Sequence, residues 1–97
     1  MRVRWLRAAL EELDAEAEYI ARDNSRAAAR IVRSIATAVD RLARHPAIGR
    51  PGRLAGTREL VVPNTSYIIP YRVRGNCVEI LRVFHAARKW PKNFDEP

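Results

Sequence analysis

The spacing of apolar residues predicts two helices in the first half of the chain, after a short strand. Arg2 to Trp5 alternates polar and apolar residues, which is typical of a β-strand. Apolar residues then recur every three or four positions in two series, and Pro46 ends the second. These series are Leu6, Leu10, Leu13, Ala17 and Ile20, followed by Ala28, Ile31, Val32, Ile35, Ala38, Val39 and Leu42. The polar link Asp23-Asn24-Ser25 is short and suits an N-cap, so we expect an antiparallel helical hairpin.

The second half of the chain predicts a β-meander. Three runs rich in Val, Ile and Tyr, residues 57–62, 66–74 and 77–85, follow a Gly- and Pro-containing loop at 48–56. Pro70 has no N–H to donate, so its position must face a gap, a bulge or an edge of the sheet. The sequence therefore predicts an α+β fold with the order β-α-α-β-β-β and an antiparallel three-stranded meander.

Length and composition narrow the class of protein. With 97 residues the chain has room for one hydrophobic core, and we expect a single domain over residues 1–97 that ends in a short basic tail from about residue 86. No apolar run approaches the roughly 20 residues of a membrane span, and no signal peptide is visible. A single cysteine, Cys77, suits a reducing compartment. These features predict a cytoplasmic protein without a membrane partner.

The net charge of +7 is unevenly distributed along the chain. Six of the eleven acidic residues lie between Glu11 and Asp23, whereas residues 24–92 hold fourteen Lys and Arg against three acids, a balance of +11. Such a field attracts an acidic protein or a nucleic acid and accelerates the encounter with it. The alternative explanation for sixteen arginines is a GC-rich genome.

The residue types allow few kinds of catalysis. With two histidines and one cysteine we expect no metal site, and no cofactor is expected because the glycine-containing loop lacks the Lys-Ser/Thr ending of a phosphate-binding loop. Cys77 and His85 lie about 26 Å apart on an extended strand, which excludes a nucleophile–base pair. A minimal nuclease could use Glu59 as base, Arg72 or Arg82 on the phosphate, and His85 as acid.

Several short motifs, in this order and spacing, resemble those of the RelE/ParE toxin superfamily, and of its ParE branch in particular. They are Glu18-Tyr19-Ile20-Ala21-Arg22-Asp23-Asn24 between the helices, His45-Pro46 with Gly49-Arg50-Pro51, Arg58-Glu59-Leu60, Tyr71-Arg72-Val73, and Ile80 to Arg88. The similarity runs from Val3 to about Pro91. Ser25, where the family often has proline, and Pro70 depart from the pattern.

The resemblance implies the toxin half of a toxin–antitoxin pair. ParE-like toxins block DNA gyrase, and the basic surface and apolar hairpin suit a ParD-like antitoxin with an acidic segment and an amphipathic helix. RelE-like relatives instead cleave messenger RNA on the ribosome, and they usually follow the histidine with an aromatic residue where this chain has Ala86. Arginine, which is abundant here, cannot transfer protons near neutral pH. We therefore expect a gyrase inhibitor that catalyses no reaction.

The sequence leaves two alternative functions open, and it also predicts a target-binding and an antitoxin-binding surface. The alternatives are a metal-independent, ribosome-dependent messenger RNA nuclease and a basic nucleic-acid-binding module without toxicity, although no recognition-helix motif is visible. The target-binding surface is predicted at Arg82, His85, Arg88, Lys89 and Trp90. The antitoxin-binding residues are predicted at Leu10, Leu13, Ala17, Ile20, Val32, Ile35, Arg58 and Arg72, with some of the apolar ones in the core.

Overall fold

The structure, a computed structural model, describes residues 1–88 and 90–94. The elements are β1 (Arg2–Trp5), α1 (Arg7–Ala21), α2 (Ser25–Asp40), a 3₁₀ turn (Arg41–Ala43), β2 (Arg50–Pro51), β3 (Arg58–Val61), β4 (Tyr67–Arg74), β5 (Cys77–Ile80) and β6 (Phe84–His85). This order confirms the predicted α+β fold and adds the two-residue strands β2 and β6. Within the described part of the chain, no helix is long and apolar enough to cross a membrane.

The link between the helices contains the predicted cap. The side chain of Asn24 accepts a hydrogen bond of 3.0 Å from the backbone N–H of Ala27, which satisfies one of the N–H groups left free at the start of α2. The apolar faces of the two helices then meet the sheet. Ala9 of α1 packs in one buried cluster with Ile35 and Val39 of α2, as does Leu42 just after that helix.

The sheet has the strand order β1-β5-β4-β3-β2, and β6 pairs with β4. β1 runs parallel to β5, whereas the other pairs are antiparallel. Because side chains alternate along a strand, β4 separates two surfaces. Tyr67, Ile69 and Tyr71 belong to the core beneath the helices. The even-numbered residues of β4, from 68 to 74, face the side away from the helices, here called the open face.

The run at residues 77–85 is not the single strand that the sequence predicts. Tyr71 pairs with Ile80 but Ile68 pairs with Phe84, so two residues of β4 oppose the three from 81 to 83. Pro70 lies at this bulge, and its carbonyl accepts a hydrogen bond of 2.9 Å from the N–H of Leu81. Since the nitrogen and carbonyl of a strand residue point the same way, the missing N–H of Pro70 falls where the ladder is broken. The prediction of a bulge, gap or edge at Pro70 is confirmed.

Tyr71 fixes the loop that follows α2 to the sheet. The side chain is fully buried, and its hydroxyl donates to the carbonyl of Pro46 at 2.7 Å and accepts from the N–H of Gly49 at 2.9 Å. Burial raises the pKa of Tyr71, so the hydroxyl stays neutral and keeps both bonds. A Cβ at position 49 would lie 2.6 Å from the ring. Only glycine fits against a ring held this firmly.

Gly49→Ala is expected to lower the free energy of unfolding by about 2 kcal/mol, the usual cost of forcing an extra methyl group into a packed site. Urea denaturation measures the change. Ile48→Ala is the control, because Ile48 is half-exposed in the same loop and its truncation should cost less. A smaller loss for Gly49→Ala than for Ile48→Ala would show that the Tyr71 ring can move aside.

Candidate functional site

Residues of α1 and of the segments 82–88 and 90–92 line a cleft of about 490 Å³, here called the tail cleft. Its charged and aromatic lining residues are Glu12, Glu16, Arg82, Phe84, His85, Arg88, Trp90 and Lys92. Glu12 and Glu16 are one turn apart on α1 and therefore face the same direction. The structure thus brings together four of the five residues predicted for target binding. The fifth, Lys89, lies outside the described residues.

Glu12 joins α1 to the bulged segment that precedes β6. Its carboxylate accepts hydrogen bonds of 2.8 Å from both Nε and Nη2 of Arg82, and one of 2.9 Å from the N–H of Val83. Arg82 is only 7% exposed, and its Nη1 donates to the carbonyl of Phe94 at 2.8 Å. The bond to Glu12 raises the pKa of Arg82 despite burial. This bidentate pair anchors both the last strand and the tail.

Glu16 forms a second anchor one turn along α1. The hydroxyl of Tyr67 donates to Glu16 Oε1 at 2.6 Å, and Arg88 Nη1 donates to Oε2. Burial raises the pKa of Glu16, but hydrogen bonds from Tyr67 and Arg88 outweigh it and leave the pKa below its ordinary 4.5. Burial, together with the Glu16 carboxylate, raises the pKa of Tyr67. Glu16 is therefore ionised at neutral pH, and Tyr67 remains its donor.

The lowered pKa of Glu16 predicts a pH-dependent contribution to stability. A carboxyl whose pKa is depressed by folding stabilises above its ordinary 4.5 and loses that contribution as the pH falls through the folded value. Glu16→Gln should therefore cost about 1.5 kcal/mol of unfolding free energy at neutral pH and much less at an acidic pH low enough to protonate Glu16. Denaturation at both pH values tests this against Glu18→Gln, an exposed position on the same helix. An equal cost for Glu16→Gln at both pH values would contradict the assignment.

Trp90 is held between a cation and an aromatic ring. The guanidinium carbon of Arg53 lies 3.5 Å from the centroid of the Trp90 ring, and the Phe84 and Trp90 centroids are 4.6 Å apart. The Nε1 atom of Trp90 is buried and has no hydrogen-bond partner among residues 1–88 and 90–94. The tail is thus tied to the loop before β3, and one donor in it is unused.

His85 also lines the tail cleft and is half-buried. Its ring meets Tyr67 edge to face, with 5.4 Å between centroids. Its Nδ1 accepts a hydrogen bond of 3.2 Å from the N–H of Ala87, and this bond lies at the start of the turn that leads into the tail. His85 therefore orients the tail whether or not it has a chemical role.

The residues of the minimal nuclease do not all converge, because Arg82 and His85 line the tail cleft whereas Glu59 does not. Glu59 pairs with Pro70 and so faces the open side of the sheet, whereas His85 pairs with Tyr67 and contacts it on the helix side. Arg72 also faces the open side, where its Nε donates to Glu79 at 2.6 Å. A base and an acid on opposite faces cannot act on the same phosphate.

The carboxylate of Glu59 is also fully engaged. Its Oε1 accepts from Nε of Arg50 at 3.1 Å, and its Oε2 accepts from the N–H of Arg53 at 3.0 Å. The side chain is almost completely buried. Glu59 thus joins β2 and the following loop to β3. It also holds in place the arginine that stacks on Trp90.

A second recess lies between the helices and is lined by small apolar side chains. This hairpin groove is formed by Ala17 and Ala21 of α1 and by Ala28, Ala29 and Val32 of α2, with Glu18 and Arg33 at its margins. No polar atom contributes to its wall in the described structure beyond those marginal residues. Short side chains leave room for another helix to approach closely.

Comparison with known proteins decides the family. Residues 3–90 match the family described as the ParE toxin of the type II toxin–antitoxin system parDE. The chain belongs to the ParE toxin family. Among curated relatives of this ParE chain, "Putative toxin Y4kP" of Sinorhizobium fredii is 54% identical over 91 residues, 94% of each chain. "Toxin RelE2" of Caulobacter vibrioides is 42% identical over 84 residues, 87% of this chain and 93% of the relative.

Solved structures agree with the assignment to ParE. A chain from the chromosomal ParDE TA system of P. aeruginosa superposes with a TM-score of 0.78 and 30% sequence identity, covering 88% of this chain and 95% of that one. The strand, helical hairpin and meander are therefore the ParE architecture, as the motifs predicted.

The predicted antitoxin-binding residues occupy different environments in the ParE fold. Ala17 and Val32 line the hairpin groove, and Ile20 is half-buried. Ile35 is completely buried and Leu13 packs against the core, whereas Leu10 is 46% exposed. The two arginines are bound within the chain: Arg58 donates to the carbonyls of Ala47 and Gly49, and Arg72 to Glu79.

The sequence did not single out the residues that hold the tail cleft together. Glu12 and Glu16 appeared only as part of an acidic helix face, and Tyr67 only as an apolar strand position. The available signal was the i, i+4 spacing of the two glutamates, which places both on one side of α1. Their arginine partners are 70 and 72 residues away, so spacing could not identify them.

Proposed function

We propose that this ParE toxin arrests growth by binding DNA gyrase through the tail cleft, without catalysing a reaction, and that a cognate ParD-like antitoxin neutralises it. The gyrase target is the one implied by the family resemblance. The placement of Glu59 and His85 on opposite faces of the sheet is the observation that best supports binding over catalysis. The same separation disfavours the messenger RNA nuclease.

The chemistry of the tail cleft suits a protein target. Tryptophan and arginine supply most of the binding energy in many protein interfaces, and here Trp90 and Arg88 lie on the same cleft. Anchors at Glu12 and Glu16 already order the tail, so less conformational entropy is lost on binding. The unused Nε1 donor of Trp90 can be satisfied by an acceptor of the target after a small movement.

The hairpin groove supports the antitoxin part of the proposal. An amphipathic helix can place its apolar face on Ala17, Ala29 and Val32, and an acidic residue beside it can pair with Arg33 at the margin. The groove shares no residue with the tail cleft. Antitoxin binding and target binding should therefore be separable by mutation.

Ala29→Glu is expected to abolish rescue by the antitoxin while growth arrest persists. The substitution puts a charge into the apolar groove, which should weaken antitoxin binding by at least about 2 kcal/mol, or thirtyfold. Ala47→Glu is the control, because it makes the same change at an exposed loop position outside the groove. Co-expression with the cognate antitoxin and growth curves provide the measurement. Normal rescue of Ala29→Glu would place the antitoxin elsewhere.

A further inference from the structure

The outward side of α2 carries a continuous row of guanidinium groups. Arg26, Arg30, Arg33, Arg41 and Arg44, here called the arginine stripe, recur at helical spacing on the side opposite the buried residues of α2. The row continues from α2 through the 3₁₀ turn and spans about 27 Å at about 1.5 Å per residue. All five arginines are exposed. The stripe shares no residue with the tail cleft.

The charge of the stripe is not neutralised within the chain. Among the described residues, no carboxylate lies within 4.0 Å of any of its five guanidinium groups, in contrast to the paired arginines of the sheet and tail. Asp40 is the single acid of α2. Arginines kept apart from carboxylates in this way leave all their donors for an external anion.

A recess in the middle of the stripe is rich in hydrogen-bond donors. Arg30, Arg33 and Arg41 surround the hydroxyls of Ser34 and Thr37 in a hollow of about 350 Å³, closed by Ala38 and Pro63. No carboxylate lines it. Guanidinium and hydroxyl groups are among the side-chain groups that contact the phosphate oxygens of DNA. The hollow is therefore suited to a phosphate group rather than to a cation or an apolar ligand.

We propose that the arginine stripe binds the phosphate backbone of double-stranded DNA without reading its sequence. α2 contains no aromatic residue on which an unpaired base could stack, which argues against single strands. It also contains no Asn or Gln that could read base edges. A protein partner usually needs large apolar or aromatic side chains at the centre of the contact, and none of the large exposed apolar residues in the described structure lies on α2. The toxin would therefore have a DNA-binding surface that is separate from the tail cleft and that meets the hairpin groove at Arg33.

The salt dependence of DNA binding tests the proposal. Full-length toxin is titrated onto a fluorescein-labelled duplex of about 20 base pairs between about 50 and 200 mM salt, and binding is followed by anisotropy. Five phosphate contacts predict a slope of about −4.5 in log K against log salt. The triple variant Arg30→Gln, Arg33→Gln, Arg41→Gln should reduce the slope by about 2.7 and weaken binding at low salt at least about tenfold.

The control variant loses the same charge elsewhere. Arg2→Gln, Arg7→Gln and Arg74→Gln are exposed positions on β1, α1 and β4, and this triple variant should change affinity less than about threefold. Thermal denaturation checks that both variants are folded. Equal losses in the two variants would attribute binding to net charge and overturn the proposal. Tighter binding of single-stranded DNA, duplex RNA or a poly-glutamate peptide than of duplex DNA would overturn it as well.

Discussion

Replacing Glu12 with glutamine is expected to lower the free energy of unfolding by about 3 kcal/mol, because it leaves a buried guanidinium without its counter-charge. Arg82 is 7% exposed and gives two hydrogen bonds to this carboxylate, and Val83 gives a third. A glutamine amide has one oxygen acceptor and one NH2 donor group. Its NH2 group must therefore face an N–H donor of Arg82 or Val83, and that hydrogen bond is lost. Urea denaturation at neutral pH measures the loss.

Two further variants make the Glu12 prediction specific. Glu11→Gln changes the neighbouring exposed carboxylate and should alter stability by less than about 0.5 kcal/mol. Glu12→Gln combined with Arg82→Met removes the orphaned charge as well, and it should recover part of the loss. If Glu12→Gln were as mild as Glu11→Gln, the bidentate pair would not be the anchor between α1 and the tail.

Replacing Trp90 with alanine is expected to weaken gyrase inhibition by at least about thirtyfold, equivalent to about 2 kcal/mol of binding energy. The ring is the largest aromatic group lining the tail cleft, and its loss also frees Arg53 and Phe84 from their contacts. Trp90→Phe keeps a ring in that position and should retain most of the activity. The concentration of toxin that halves supercoiling by purified gyrase is the measurement.

The Trp90 prediction requires a folded variant. The hairpin groove shares no residue with the cleft, so Trp90→Ala should still be captured by the antitoxin and should melt as a single transition. Full inhibitory activity in such a folded variant would remove Trp90 from the target-binding surface. Loss of both antitoxin capture and inhibition would indicate that Trp90 acts through the fold.

The fold was largely predictable because local signals agreed with each other. Helical spacing, the polar cap at Asn24 and the strand-forming runs all favoured the same order of elements. The missing N–H of Pro70 even predicted a break in strand pairing. The sequence could not show that the break divides the last strand into β5 and β6, because the register shift depends on which residues of β4 lie opposite residues 81–83.

The candidate site was predictable only in part. Clustered basic and aromatic residues identified the tail, and the structure brings Arg82, His85, Arg88 and Trp90 to one cleft. Whether an arginine is exposed or internally paired depends on contacts between distant residues. Arg82 is bound to Glu12 and almost completely buried, whereas Arg88 is bound to Glu16 but remains about half exposed. Both residues are arginines in the same basic segment, so the sequence could not distinguish their environments.

We propose above all that this ParE toxin inhibits gyrase by binding and is not a nuclease. The most direct test adds one purified preparation to a gyrase supercoiling reaction and to ribosomes translating a defined messenger RNA. We expect supercoiling to stop while the messenger RNA stays intact. If the messenger RNA were cleaved while supercoiling continued, and if His85→Gln abolished that cleavage, the toxin would be a nuclease and not a gyrase inhibitor.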